Sequence, residues 1–250
     1  MNTYSLNARV YPVLLAILPV LVLGIIFFIE TKDIYESLSS LGISAVLYFL
    51  FAQLGRDRGR KLQNKLWAEW GGPPSTILFR YSDNTIDPVT KNLYHKKMQK
   101  LIPSVIVPSK ELEEQSIDTC DVIYLSWSKY LISQTRDTSN FKLLFSENVN
   151  YGFRRNAWGL KPFSVILIII LSIILWIANY LTFDTLNLQD PNYLISQFIL
   201  LIFLSFWLFI VNKSWVKITA YAYAERLLES IVTISKEYNN SNNDQNPHCR

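Results

Sequence analysis

Residues 163–183 read FSVILIIILSIILWIANYLTF and contain no charged side chain. At a helical rise of about 1.5 Å per residue, a stretch of this length crosses a hydrocarbon core about 30 Å thick. Residues 193–211 read YLISQFILLIFLSFWLFIV, and they follow after a short polar loop. The two stretches predict a hairpin of transmembrane helices, so we expect a membrane protein.

A second pair of apolar segments lies near the amino terminus. Residues 11–29 (YPVLLAILPVLVLGIIFFI) are uncharged, and no small-residue cleavage site follows them, so we expect an uncleaved membrane anchor. The segment 34–54 is weaker, because Glu36 and several serines dilute its first half. Its place between the first segment and a strongly basic stretch favours a second crossing. The sequence therefore predicts four spans.

Positive charge is concentrated on one side of these four segments. The connecting loops are mostly acidic, whereas basic clusters follow the second segment, precede the third and follow the fourth. By the positive-inside rule, both termini and the long middle region then lie in the cytoplasm. Three spans would place one basic cluster outside. The clusters are Arg56, Arg58, Arg60 and Lys61; Arg154, Arg155 and Lys161; and Lys213 and Lys217.

Composition agrees with this organisation. Half of the 250 residues are apolar, and the formal net charge is +4. Because the basic excess lies beside the spans, we expect the lipid bilayer to be its partner and expect no binding to nucleic acid. The spacing of Cys120, Cys249, His95 and His248 matches no metal-binding pattern, so we predict neither metal nor cofactor. We expect His95 to be an exposed helix residue.

The middle region has helical apolar patterns separated by turn signals. Gly71-Gly72-Pro73-Pro74 ends the helix that continues from the second span, and Asp87-Pro88 begins another. The predicted fold is all-α, with a helical cytoplasmic domain inserted between spans two and three. Its parts are a transmembrane hairpin (1–55), the cytoplasmic domain (56–162), a second transmembrane hairpin (163–211), a cytoplasmic helix (212–238) and a disordered tail (239–250).

Two unusual stretches are candidate binding surfaces. Trp67 and Trp70 precede two glycines and two prolines, with Arg80 nearby. This turn either presents a ligand or partner surface, or it is a structural elbow. Arg154 and Arg155, with the cluster after span two, are predicted to contact lipid headgroups or another anion, since guanidinium groups suit phosphates.

The sequence contains no motif of a known catalytic site. We find no phosphate-binding glycine loop, dinucleotide fingerprint, metalloprotease motif or nucleophile elbow. Glu113 and Glu114 are adjacent carboxylates, but the helical pattern places them on an exposed face. We therefore predict that the protein is not an enzyme and has no catalytic residue.

The spans carry polar residues but no ionisable residue at their centres, which argues against a coupled pump. Ser172, Asn179, Gln197 and Ser205 remain as polar side chains within the apolar segments. They either line a pore or form hydrogen bonds between helices. The sequence alone leaves both alternatives open.

Three stretches resemble an uncharacterised family of bacterial integral membrane proteins with no assigned activity. They read RGRKLQNKLWAEWGGPPSTILFR (58–80), DPVTKNLYH (87–95) and NYGFRRNAWGLKP (150–162). The resemblance implies a multi-pass protein of the bacterial inner membrane and carries over no catalytic residue.

Two classes of function follow from this layout. The first is a homo-oligomeric, channel-like or membrane-perturbing effector that is gated by its cytoplasmic domain. The second is a membrane-anchored scaffold that recruits a cytoplasmic protein partner through the Trp67 and Trp70 turn. Both are inferred from architecture, and neither follows from a known motif.

Overall fold

The computed structural model describes the backbone of residues 6–31 and 34–244. The side chains of 28–38, of 40 and beyond 235 lie outside that description. Every regular element in the described part of the chain is helical, which confirms the predicted all-α class.

The α-helices of the described residues are numbered here in chain order. They are α1 (Tyr11–Thr31), α2 (Ile34–Trp70), α3 (Pro74–Phe79), α4 (Pro88–Leu101), α5 (Lys110–Gln115), α6 (Ile117–Gln134), α7 (Lys142–Phe183), α8 (Pro191–Ser205) and α9 (Lys213–Asp244). Two π-helical turns accompany them: Leu6–Val10 precedes α1, and Phe206–Ile210 follows α8. α9 continues past the predicted helix end at 238, and residues 245–250 of the predicted tail lie outside the described residues.

Three helices in the described part of the chain are long and apolar enough to cross a membrane: Leu6–Phe27, α7 and Pro191–Ile210. They suggest that the protein associates with a membrane. The segment 34–54, predicted as the second of four spans, forms the first part of α2 but is not among these three. The side chains of 34–38 and 40 lie outside the described residues, and the apolar run that remains from Leu41 is shorter than a full crossing. A crossing by residues 34–54 therefore stays a prediction.

The chain forms two compact units. Unit 1 comprises residues 1–64 and 149–217, and unit 2 comprises residues 65–148 and 218–250. The domain that we predict between the spans runs from 56 to 162, so unit 2 begins later and ends earlier in that region. Unit 2 also contains most of α9.

Unit 2 is built around buried aromatic rings. Phe79, Tyr124 and Trp127 are completely buried, and their ring centroids lie 5.3 to 5.8 Å apart. α9 contributes Leu227 and Ile231 to the same core. Burial of large aromatic and aliphatic side chains is the main stabilising contribution in such a core, at about 25 cal/mol per Å² of apolar surface.

Glycines bring α2 and α7 into close contact within unit 1. A Cβ atom added to Gly159 would lie 2.8 Å from the backbone nitrogen of Gly59 and 3.0 Å from the carbonyl oxygen of Gly55. Small residues spaced four apart allow helices to approach closely, and Gly55 and Gly59 have this spacing. No sequence pattern used above singles out this pair.

Contacts with α7 give the directions of α1 and α2 in unit 1. The Asn156 Nδ2 group donates a hydrogen bond to the Ala8 carbonyl at 2.8 Å, near the beginning of α1. Phe27, near the end of α1, lines a cavity of about 150 Å³ together with Asn179. α2 then returns to the level of Asn156, where a Cβ atom on Gly59 would meet the Asn156 side chain. The two helices therefore run in opposite directions along α7.

Candidate functional site

The path of the chain from α8 into α9 is interrupted. Phe206–Ile210 is π-helical, and Val211 adopts the non-helical angles φ −79° and ψ 89° before α9 begins at Lys213. π-helical turns often mark functional sites in helices. The break also leaves carbonyl groups that have no partner within a regular helix.

α7 supplies donors for these carbonyl groups. The Lys161 ammonium group donates hydrogen bonds to the carbonyl oxygens of Leu208 at 3.0 Å and Val211 at 2.8 Å. On the other side of the break, the Asn212 side chain accepts a hydrogen bond from the Trp215 backbone N–H at 2.9 Å, which caps the start of α9. Hydrogen bonds thus pair backbone polar groups on both sides of the break.

Arg154 lies about two turns before Lys161 on α7 and binds the first turns of α9. Its Nη1 donates to the Trp215 carbonyl oxygen at 2.9 Å, and its guanidinium carbon lies 4.9 Å from the centroid of the Trp215 ring. The second distance is that of a cation–π interaction. Arg154 and Lys161 are seven residues apart, so both project from one face of α7. We call Arg154, Lys161 and Trp215 the junction clamp.

Arg155 also makes contacts inside unit 1. Its Nη1 donates to the Gln63 side-chain oxygen at 2.6 Å, and its guanidinium carbon lies 5.6 Å from the centroid of the Tyr151 ring. Arg154 and Arg155 therefore have intramolecular partners. Their contact with lipid headgroups stays a prediction.

The basic cluster of α2 is arranged differently, because Arg56, Arg58, Arg60 and Lys61 are all exposed. The Arg58 guanidinium carbon lies 5.1 Å from the centroid of the Phe163 ring. Arg56 Nε lies 3.3 Å from an oxygen of the neighbouring Asp57. These side chains can reach an anionic surface without loss of a buried partner.

Two of the four polar residues predicted in the apolar helices bond to each other in this structure, and a third bonds to a loop. Ser172 donates to the Gln197 side-chain oxygen at 2.7 Å, and Gln197 donates back to the Ser172 carbonyl at 3.1 Å. The Asn179 side chain bonds the backbone of Asn187 in the loop before α8. Ser205 is half-buried where α8 meets the π-helical turn. These contacts favour the interhelical role over the pore role in a single chain.

The turn after α2 has the features of a structural elbow. Gly71 and Gly72 have φ values of +86° and +141°, which residues other than glycine rarely adopt. The Gly72 N–H donates to the Trp67 carbonyl at 2.7 Å, and the Trp70 ring packs edge-on against Tyr221 at 6.3 Å. Both tryptophans are half-buried.

We predicted that Arg80 forms a binding surface with the two tryptophans. In the structure, its guanidinium group makes contacts within unit 2. Its guanidinium group donates to both oxygens of Asp121, at 2.8 and 2.5 Å, and to the Gly71 carbonyl at 2.6 Å. The hydrogen bond with Asp121 raises the pKa of Arg80 above its ordinary value. The bidentate pair thus connects the elbow to α6.

Glu113 is buried, so its predicted exposed position is wrong. Its carboxylate accepts hydrogen bonds from the backbone N–H groups of Tyr81 and Ser82 and from the hydroxyl groups of Ser82 and Tyr124, at 2.8 to 3.0 Å. Burial alone would raise the pKa of Glu113, but these hydrogen bonds outweigh it and lower the pKa. The carboxylate thereby fixes the loop after α3.

His95 is also buried, contrary to the prediction from sequence. Its Nδ1 lies 2.9 Å from the Tyr81 hydroxyl, and its Nε2 lies 2.9 Å from the Phe79 carbonyl oxygen. Neighbouring Lys91 donates to the backbone carbonyls of Arg80 and Asp83. This network is polar and well satisfied, but it is enclosed by core residues.

Among the described residues, no three His, Cys, Asp or Glu side chains are grouped so as to hold a metal ion. Comparison of the chain with known proteins finds no matching family model, no matching curated protein and no matching solved structure. The junction clamp and the exposed basic cluster of α2 are therefore the candidate sites that rest on the geometry of this chain alone.

Proposed function

We propose that this chain is a non-enzymatic, homo-oligomeric membrane effector, channel-like or membrane-perturbing, that its helical domain switches through the break between α8 and α9. The observation that carries the proposal is the junction clamp. The structure has the clamped arrangement, in which Arg154 and Lys161 hold the break, and the proposal adds a second, released arrangement. Switching elements of proteins are commonly of this kind.

The helices that connect the core of unit 2 to the apolar helices support this proposal. α9 begins at the break, and its later part belongs to the core of unit 2 with Leu227 and Ile231. On the other side, α8 is joined to α7 by the Ser172 and Gln197 hydrogen bonds. A shift of α9 that separates Lys161 from its carbonyl partners would leave polar groups unpaired near the membrane, which is energetically costly. α8 would then move to satisfy them.

We further propose a multi-pass arrangement in a bacterial inner membrane, with four crossings and both termini in the cytoplasm. The antiparallel course of α1 and α2 along α7 supports a return crossing by residues 34–54. The core of unit 2 contains residues from both of its chain segments, which supports our proposal that both segments lie on one side of a membrane. That requires an even number of crossings between them, and α7 and α8 supply two.

Membrane potential during induced expression tests the effector proposal. Cells that express the chain should depolarise, as reported by a voltage-sensitive dye, and Lys161→Met should change the extent of depolarisation at equal protein level. Lys65→Met is the matched control, because Lys65 is an exposed lysine on α2 outside the clamp. Normal potential with wild type and with Lys161→Met, at verified expression in the membrane, would contradict an effector role.

The alternative proposal is a membrane-anchored scaffold that recruits a cytoplasmic protein, and a separate observation favours it. α6 exposes Val122, Leu125 and Ile132 at spacings of three and seven, so they form an apolar stripe on one helix face. Exposed apolar stripes of this kind mark protein contacts. This stripe fits a partner better than Trp67 and Trp70, which are packed in the elbow.

Site-specific photo-crosslinking in cells tests the scaffold. A photoreactive residue at Val122 should give one discrete adduct, whereas the same residue at exposed Lys96 on α4 should give none. Equal or absent adducts at both positions would contradict recruitment through this stripe.

A further inference from the structure

A groove of about 510 Å³ lies beside the π-helical turn that precedes α1. It is lined by Arg9, Val10, Tyr48, Ala52, Gln53, Arg56 and Asp57. All of them belong to unit 1. We propose that this groove binds the headgroup and upper acyl chain of an anionic phospholipid.

The order of residues along the groove matches the order of chemical groups in a phospholipid. Tyr48, Ala52 and Arg56 are four residues apart, so they lie on one face of α2. The face changes from apolar to basic toward the end of α2 that carries the cluster of exposed arginines. Val10 and Arg9 repeat this change on the opposite wall. An acyl chain fits the apolar end, and a phosphate fits the basic end.

Two guanidinium groups at the basic end favour a phosphodiester. Arginine donates paired hydrogen bonds to phosphate oxygens, and positively charged side chains next to a span attract anionic lipids. Arg56 contacts the Asp57 carboxylate through Nε at 3.3 Å, so this contact does not use the terminal nitrogens of Arg56. Gln53 and Asp57 offer acceptors for hydroxyl groups, which a glycerol headgroup carries.

The wall that carries Arg9 is held in place. Ala8 is completely buried, and its carbonyl accepts the hydrogen bond from Asn156 of α7. The π-helical turn is thereby attached to α7, and the position of Arg9 relative to α2 is fixed before a lipid binds. A preformed site binds more tightly than a flexible one, because less conformational entropy is lost.

Native mass spectrometry of the full chain in non-ionic detergent tests this site. The protein is titrated with short-chain phosphatidylglycerol, and with short-chain phosphatidylcholine as the neutral lipid. We expect Arg9→Gln/Arg56→Gln to weaken phosphatidylglycerol binding about tenfold or more. The control Arg60→Gln/Lys61→Gln removes the same charge outside the groove, and its affinity should fall by less than about threefold.

A second variant separates binding in the groove from general attraction and from misfolding. Ala52→Trp fills the groove but keeps both arginines, and its binding of phosphatidylglycerol should be lost at an unchanged melting temperature. The proposal is overturned if both charge variants weaken binding equally, if Ala52→Trp binds like wild type, or if phosphatidylcholine binds as tightly. It is also overturned if inorganic phosphate displaces the lipid at equal concentration, since the site would then serve a free anion.

Discussion

The imidazole ring of His95 is bonded on both nitrogens inside unit 2. A backbone carbonyl only accepts hydrogen bonds, so Nε2 carries the proton toward Phe79, and Nδ1 accepts from the Tyr81 hydroxyl. Both bonds are made by the neutral ring. Burial of His95 lowers its pKa from 6.5 to about 4. The folded protein therefore excludes a proton that the unfolded chain binds near pH 6.

Stability should consequently fall as the pH decreases from about 6.5 toward 4, and this part of the stability should be fully present above pH 6.5. The loss approaches about 3 kcal/mol at the low end, since one pKa unit corresponds to 1.36 kcal/mol. Thermal unfolding of the detergent-solubilised chain, followed by tryptophan fluorescence at pH 7 and pH 5, measures it. His95→Gln should show a smaller difference between these two pH values, and an equal difference would contradict this assignment.

Glu113 offers a second prediction at the scale of single residues. Glu113→Gln replaces an acceptor of four hydrogen bonds with a group that also donates, so the N–H groups of Tyr81 and Ser82 lose part of their pairing. We expect a loss of about 2 kcal/mol in the free energy of unfolding. Glu114→Gln is the matched control: its side chain is 69% exposed and should change stability by less than about 0.5 kcal/mol. Equal effects of the two substitutions would show that the buried network is unimportant.

Sequence patterns wrongly predicted that Glu113 and His95 are exposed, and the reason is the same for both. Each side chain is polar and lies on a helix whose local pattern permits exposure. Their burial depends on the end of α3 and the loop after it, which supply most of their backbone and hydroxyl partners. Those partners come from more than ten positions away in the chain, so a local pattern gives no sign of them.

Glycine positions provide a prediction at the scale of helices. Gly159→Ala should destabilise the contact of α2 with α7 by about 1–3 kcal/mol, because the new methyl group would meet the backbone of Gly59 at 2.8 Å. Gly42→Ala is the control on α2, since a Cβ there has no atom within 4 Å. Alanine at that exposed helix position should be neutral or slightly stabilising. Melting temperatures of the two variants in detergent give the comparison, and a stable Gly159→Ala variant would contradict close packing.

Helix starts were easier to predict than helix ends. Asp87 caps α4 by accepting a hydrogen bond from the Thr90 N–H, as its sequence with Pro88 indicates. By contrast, α7 runs as one helix through Pro162, across the predicted boundary between the cytoplasmic domain and the third span. Next to this proline, the Ser164 hydroxyl donates to the Leu160 carbonyl at 3.2 Å. Such side-chain bonds help a helix to tolerate proline.

At the scale of the whole molecule, the junction clamp shows that basic residues beside a span can have structural partners as well as a role in orientation. Lys161 and Arg154 were counted as evidence for orientation, which treats all basic residues beside a span alike. In the structure, each bonds backbone carbonyl groups of a chain segment about 50 to 60 positions away. The only local sign of the break is Asn212, a helix-capping residue between two apolar and helical stretches. Sequence patterns therefore predicted neither the break nor the side chains that hold it.

The number of crossings is the last prediction, and it concerns the whole molecule. We expect cysteines introduced at Lys32 and Thr185, in a background without Cys120 and Cys249, to react with a membrane-impermeant maleimide in intact cells. A cysteine at Ser104 in unit 2 should react only after lysis. This pattern requires α2 to return across the membrane. Protection at position 32 with labelling at 185 would instead mean that residues 34–54 do not cross, and the amino terminus would then lie outside. That outcome would also contradict the Ala8 to Asn156 hydrogen bond, because these two residues would be on opposite sides of the membrane.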